Sequence, residues 1–143
     1  MAKGTKDNKA LVAELNKALG WELRAQAMYA HYAAYIGGLD SLALKSHFEE
    51  EAQESFGHAG KVRDLIAQIG AVAVTTRDEA PVVHTTSTRK MLQEALKTEQ
   101  AAAAQYKAIL PLVNNNVVFT HTILHIMMDE MKAVVEVETL LGK

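Results

Sequence analysis

The chain has 143 residues, a formal net charge of -2, two prolines and no cysteine, with 49% apolar and 22% charged residues. That is length enough for one domain with its own core. The charge balance offers no basic stripe for nucleic acid, and the missing cysteines exclude disulfides and thiolate metal sites, so any metal must be held by oxygen and nitrogen.

The first helix is predicted from about Asn8 to Ile36, ending at Gly37-Gly38, with residues 1–7 expected to be flexible. Its inward stripe reads Leu11, Leu15, Ala18, Glu22, Ala25, Tyr29, Ala33 and Ile36, spaced three and four apart. The second helix is predicted from Asp40 or Ser41, both good N-caps, to Gly70. Its stripe is Leu44, Phe48, Glu51, Ser55, His58, Val62, Leu65 and Ile69. Residues 71–88 lose helical character and read as a crossover; a lone strand there would have no partner. The third helix starts near Ser87, carries Leu92, Ala95, Glu99, Ala102, Tyr106 and Leu110, and is limited by Pro111. Asn114-Asn115-Asn116 is a turn. The fourth helix follows with Val117, Leu124, Met127, Glu130, Val134, Val137 and Leu141. Short, long, short connections predict an all-α four-helix bundle with a long crossover between helices 2 and 3, a single domain over residues 1–143.

An internal echo runs through this pattern. At an offset of 77 residues, Ala18, Leu19, Glu22, Ala25, Ala27 and Tyr29 recur as Ala95, Leu96, Glu99, Ala102, Ala104 and Tyr106. Alanine inflates the count, and coincidence in an alanine-rich sequence is the plain alternative. The informative part is a glutamate followed seven residues later by a tyrosine, which suggests two pseudo-equivalent hairpins facing one site.

Each stripe carries an ionisable residue at mid-helix: Glu22, Glu51 with His58, Glu99 and Glu130. A buried carboxylate shifts its pKa, finds a cation or escapes to water. Any one of these alone reads best as a stripe-edge residue reaching solvent, and His58 alone as a satisfied core histidine. Together, with Glu54 one turn before His58, they point to a metal as the counter-charge, since no lysine or arginine lies on the stripes. Oxygen-rich coordination suits iron or manganese and tolerates zinc. His121, His125 and Asp129 recur every four residues on the fourth helix, nearly opposite Glu130; they read as an exposed polar face ahead of a second metal site. His31, His47 and His84 have no partners that the sequence can name.

The stretches LNKALGWELRAQAMY, EEEAQESFGHAGKVRDLIAQIG, EALKTEQ and MMDEMKAVVEVETLL resemble the four helices, in order, of the ferritin-like superfamily. Bacterioferritins and related bacterial di-iron carboxylate proteins are nearest. The resemblance covers residues 8–141 and implies iron, in a di-iron or mononuclear centre. Glu22, His58, Glu99 and Glu130 match family ligand positions, and Tyr29 matches a tyrosine beside the centre. Two ligand positions depart from the pattern: Ser55 stands where a bridging glutamate is expected, and Ala133 where a second histidine is expected. Glu54 has a chelating spacing to His58 and is the candidate to replace the lost bridge. Glu51 lies two turns from His58, roughly 10 Å along the axis, too far to share one ion with it. Phe56 occupies the position of the haem-ligating methionine, so no haem is expected.

The resemblance implies ferroxidase chemistry: oxidation of Fe(II) by oxygen or peroxide, coupled to iron storage or detoxification, with Tyr29 as a catalytic participant. The alternative is a non-catalytic bundle with one metal or none, serving assembly or partner binding. A homo-oligomer is implied, and with no fifth helix after Lys143 smaller assemblies than the ferritin shell stay open, miniferritin-like dodecamers among them. No apolar run approaches the roughly 18 residues of a membrane span, and residues 1–9 are polar rather than leader-like. The expectation is a cytoplasmic protein with no membrane partner.

Overall fold

A computed structural model describes residues 5–143, with side chains from residue 8 onward. It consists of α1 (Thr5–Tyr35), α2 (Asp40–Ile69), α3 (Thr88–Val113) and α4 (Val117–Leu140), and there is no strand among the described residues. The helix starts three residues before the expected Asn8. The expected flexibility of residues 1–4 lies outside the described residues.

The boundaries follow local chemistry, with two departures. Ser87 accepts the Lys90 amide at 3.2 Å and Asn116 accepts the Phe119 amide at 3.1 Å, so α3 and α4 begin on side-chain N-caps. Gly70 closes α2 in the left-handed conformation, φ 88°, with its amide on Ala67 and that of Ala71 on Ile66. Neither Asp40 nor Ser41 caps α2: Asp40 is the first helical residue, Leu39 takes the cap position without a side-chain bond, and the Ser41 hydroxyl donates to the Gly38 carbonyl. Pro111 lies inside α3 rather than ending it; two residues from the terminus, it removes one backbone bond with little helix left to break.

The α1–α2 and α3–α4 hairpins pack across α1 and α3, which run antiparallel. The crossover, residues 70–87, runs back along α1 in α1's own direction. Asn16 accepts the Val74 amide at 2.9 Å, the Gly20 carbonyl accepts the Asp78 amide at 2.9 Å, and the Tyr32 hydroxyl donates to Val83 at 2.7 Å. A Cβ on Gly20 would sit 3.4 Å from the Asp78 nitrogen, so glycine lets the connection lie against the helix. Buried Arg24 is the strongest tie. Its guanidinium donates to the Ala80 carbonyl at 3.0 Å, the Pro81 carbonyl at 2.8 Å and the Thr98 hydroxyl at 3.2 Å, while stacking on Trp21.

The α1 stripe is buried along its whole length. The α4 stripe is displaced from the expected one: Val117 and Leu124 face outward, and the buried residues are Phe119, Ile123, Ile126, Glu130, Ala133 and Val137. Two apolar clusters fill the bundle, one around Tyr29, Tyr32, Phe48 and Met91 and the other around Leu15, Leu19, Val62 and Ile123. The mid-helix ionisable residues lie between them.

Candidate metal centre

Glu22 from α1, His58 from α2, Glu99 from α3 and Glu130 from α4 are exposed by only 1, 3, 3 and 4% respectively. Ligand atoms of Glu22, His58 and Glu130 all lie within 4.8 Å of one another. The His58 Nδ1 atom is 2.8 Å from Glu130 Oε1 and 3.5 Å from Glu22 Oε2. Glu99 is buried in the same part of the bundle, where burial and the Glu130 carboxylate hold its own carboxyl well above the usual range, so all four helices bring an ionisable side chain into this interior layer.

The echo in the sequence becomes a reciprocal arrangement. The Tyr29 hydroxyl on α1 donates to Glu99 on α3, and the Tyr106 hydroxyl on α3 donates to Glu22 on α1 at 2.6 Å. Trp21 donates to the carbonyl of Thr98, its own counterpart at the 77-residue offset, at 3.0 Å. Each tyrosine thus holds the other helix's glutamate, and both phenols are pushed well above their ordinary pKa by burial and by the carboxylate each one meets.

Protons carry the counter-charge in the bare protein. Burial works against a charged His58, but the close Glu130 and Glu22 carboxylates outweigh it and raise the imidazole to about 11. Burial and the Glu22 charge push Glu130 up to about 7. Glu99 is held well above the carboxylate range by burial and by the neighbouring Glu130 carboxylate. Among the described residues Arg24 is the buried lysine or arginine, and it is tied to the crossover, so the cationic partner of these carboxylates is His58.

The donor set fits a cation. Nδ1 of His58 is buried among carboxylate oxygens, yet it has no partner in hydrogen-bonding geometry; the 2.8 Å approach to Glu130 is therefore a charge contact off the N–H axis. A buried nitrogen facing two carboxylates in this way is placed as a ligand atom would be. Its other nitrogen, Nε2, is 3.0 Å from Asp129 Oδ2, which fixes the ring.

The remaining candidate residues sort by helix angle. Ser55 and Ala133, the two departures from the ligand pattern, are both buried and face the layer without a ligating group. Glu54 does not fill the Ser55 gap, because at 100° per residue the two flank His58 on opposite sides. Glu54 is exposed and groups instead with Asp129 and His58. Glu51 is partly buried, and its carboxyl is pushed up to about 8 by burial, then by Glu99, Glu54 and Glu136. Asp129 was expected on the outer face with His121 and His125; instead it turns to His58, while the two histidines stay exposed with ring centroids 4.7 Å apart. His31 and His84, which the sequence could not partner, meet at 2.9 Å between α1 and the crossover.

The family model described as ferritin-like domain matches residues 12–143. This chain belongs to the ferritin-like family. The ferritin-like protein has a solved structural relative described as a ferritin-like, diiron-carboxylate protein from Bacillus anthracis str. Ames. The two are 28% identical with a TM-score of 0.87, over 96% of this chain and 99% of the other. A dodecameric thioferritin from Bacteroides fragilis, described as bacterioferritin-related, superposes with a TM-score of 0.87 at 23% identity, over 94% of this chain and 85% of the other. That second likeness is one of fold. No curated protein matches the ferritin-like chain by sequence. No helix among the described residues is long and apolar enough to cross a membrane.

Proposed function

We propose that this ferritin-like protein binds iron between its four helices and oxidises Fe(II) with oxygen or peroxide, as part of iron storage or detoxification. The observation that carries the reading is the buried group of Glu22, His58 and Glu130, with an orphaned His58 nitrogen among the carboxylates and buried Glu99 beside it. The description of the Bacillus anthracis relative as a diiron-carboxylate protein supports it. Iron is the substrate and supplies the electrons. The chain's own part is to replace the protons on His58 and Glu99 by metal charge, to hold the carboxylates in place through Tyr106 and Tyr29, and to keep the layer dry. Tyr29, bonded to Glu99, is the proposed catalytic tyrosine.

Glu22, His58 and Glu130, the tight group, would hold a first ion. A second would have to draw on Glu99 and Glu51, a poorer set because Ser55 and Ala133 supply no carboxylate or imidazole. That asymmetry favours the second reading, a single resident ion of iron, manganese or zinc without turnover. Exposed Leu124, Met128, Met131 and Val135 form a stripe spaced four, three and four along α4 that none of the described residues covers; with the exposed Leu39 and Leu42 it supports a homo-oligomer.

Anaerobic Fe(II) titration followed by oxygen, with native mass recorded alongside, tests both readings. Oxidation with more than one iron per chain is expected, and Glu99→Ala should abolish it while leaving the chain folded. One tightly held ion, no oxidation and no effect of Glu99→Ala beyond stability would establish the structural reading instead.

A further inference from the structure

His121 and His125 stand one turn apart on α4, both exposed, on the side of the helix away from the core residues Ile123 and Ile126. The same row reaches Asp129 a turn later, but that carboxylate is turned to Nε2 of His58 at 3.0 Å. The two imidazoles are left as a pair of their own. Histidine hydrogen bonds among the described residues join His31 to His84 and His58 to Asp129. The ring nitrogens of His121 and His125 are therefore uncommitted.

Residues four apart on a helix have Cβ atoms about 5–6 Å apart, a spacing at which two imidazoles can close on one ion. Here the rings already lie side by side, with centroids 4.7 Å apart and planes 43° from one another. With metal–nitrogen bonds of about 2.0–2.1 Å, two imidazoles on one ion have centroids about 4.5 Å apart at a right angle and about 5.2 Å apart at the tetrahedral angle. The observed separation is nearer the right angle, the cis arrangement of tetragonal copper(II) or nickel(II). Ile123 and Ile126 are fully buried, so the turn of helix that carries both rings is fixed by packing. A chelate on such a turn needs little further ordering.

We infer that His121 and His125 form a two-imidazole chelate for a divalent cation of the copper(II) class, with water in the ion's remaining positions. Copper(II) leads nickel(II) and zinc(II) at such a site by the general order of affinities for nitrogen ligands. The chelate shares no residue with Glu22, His58, Glu99 and Glu130, and is a separate site. It gives a role to two α4 histidines that the packing of the bundle does not use.

Copper(II) titrated into the full chain and followed by electron paramagnetic resonance is the test, because nitrogen hyperfine structure counts the imidazoles on the ion. A site with two nitrogens is expected. Changing either histidine to Gln should weaken it by at least about tenfold, because the second imidazole binds within the molecule. Val117→His in the His125→Gln background puts a partner four residues before His121, at an exposed position, and should restore the two-nitrogen signal. Thr122→His in the same background restores the number of histidines without the spacing, and should not restore it. Iron oxidation should be unchanged in His121→Gln; a loss there would overturn the separation of the two sites. A wild-type spectrum without a two-nitrogen site would overturn the chelate, and so would single variants that keep the site at full strength. Rescue by Thr122→His as good as by Val117→His would overturn it too, since the spacing would then not matter.

Discussion

At the scale of single residues, His58, Glu99, Glu130 and Glu51 have native pKa values above their unfolded values. Glu130 rises from 4.5 to about 7, Glu51 from 4.5 to about 8 and His58 from 6.5 to about 11, with Glu99 raised as well. The folded metal-free state therefore binds more protons than the unfolded one, and its stability falls as pH rises. The His58 contribution is complete below 6.5 and fades towards 11; those of Glu130 and Glu51 are complete below 4.5 and fade through 7 and 8. Calorimetry of the metal-free chain should show Tm falling steadily from pH 5 to pH 9. Zinc or cobalt should reverse the slope, because the metal replaces protons and binds better as they leave. A Tm indifferent to pH without metal would mean that the layer is not charged as described. In the sequence these residues were legible as misfits in apolar stripes, and Glu22, His58, Glu99 and Glu130 do meet. Asp129 was not legible, because a half-buried contact depends on how α4 is rotated against α2, and periodicity carries no such information.

At the scale of elements, helix existence followed from spacing, and helix phase followed only where the two faces differ. On α1 the stripe Leu11, Leu15, Ala18, Glu22, Ala25, Tyr29 stands among polar neighbours and is buried throughout. On α4, Val117, Leu124, Met128 and Val135 are as apolar as the true core residues Ile123 and Ile126, so two phases fit equally well and the chain alone could not choose. The crossover was visible as a loss of helical pattern, but its attachment was not, since the ties are backbone carbonyls meeting Asn16, Arg24 and Tyr32. Arg24 holds two of those carbonyls and Thr98. Bonds from a charged donor contribute about 1.5–3 kcal/mol each, and their loss is partly offset by water reaching the freed carbonyls. Arg24→Ala should therefore cost about 3 kcal/mol in urea unfolding, with amide exchange at Val74 and Asp78 accelerating more than exchange in α2. A loss below about 1 kcal/mol, within the range of an ordinary surface change, would mean that the crossover is held by its other contacts.

At the scale of the whole molecule, the bundle is close to two-fold in layout, and its chemistry follows that symmetry only halfway. The α1 and α3 halves are matched: Glu22 with Glu99, Tyr29 with Tyr106, Trp21 against Thr98, each pair 77 residues apart. The α2 and α4 halves are not. His58 on α2 has no histidine opposite, because Ala133 fills that place, and Glu130 on α4 has no carboxylate opposite, because Ser55 does. Both positions are buried and face the layer, so the backbone already presents them correctly and only the side chains are missing. Ser55→Glu with Ala133→His supplies a Glu-x-x-His set on each of the two helices, the full complement of a two-metal bundle. The extra carboxylate destabilises the metal-free chain, since it adds to a layer already short of positive charge. With iron the balance changes, because a second ion takes the place of that repulsion. The double variant should bind a second Fe(II) with affinity comparable to the first, in anaerobic titration, and oxidise iron faster on exposure to oxygen. Its Tm should be lower than wild type without metal and higher with it. A variant that folds but still binds its second iron no better would show that Ser55 and Ala133 are not what limits this centre, and that the asymmetry lies in the backbone.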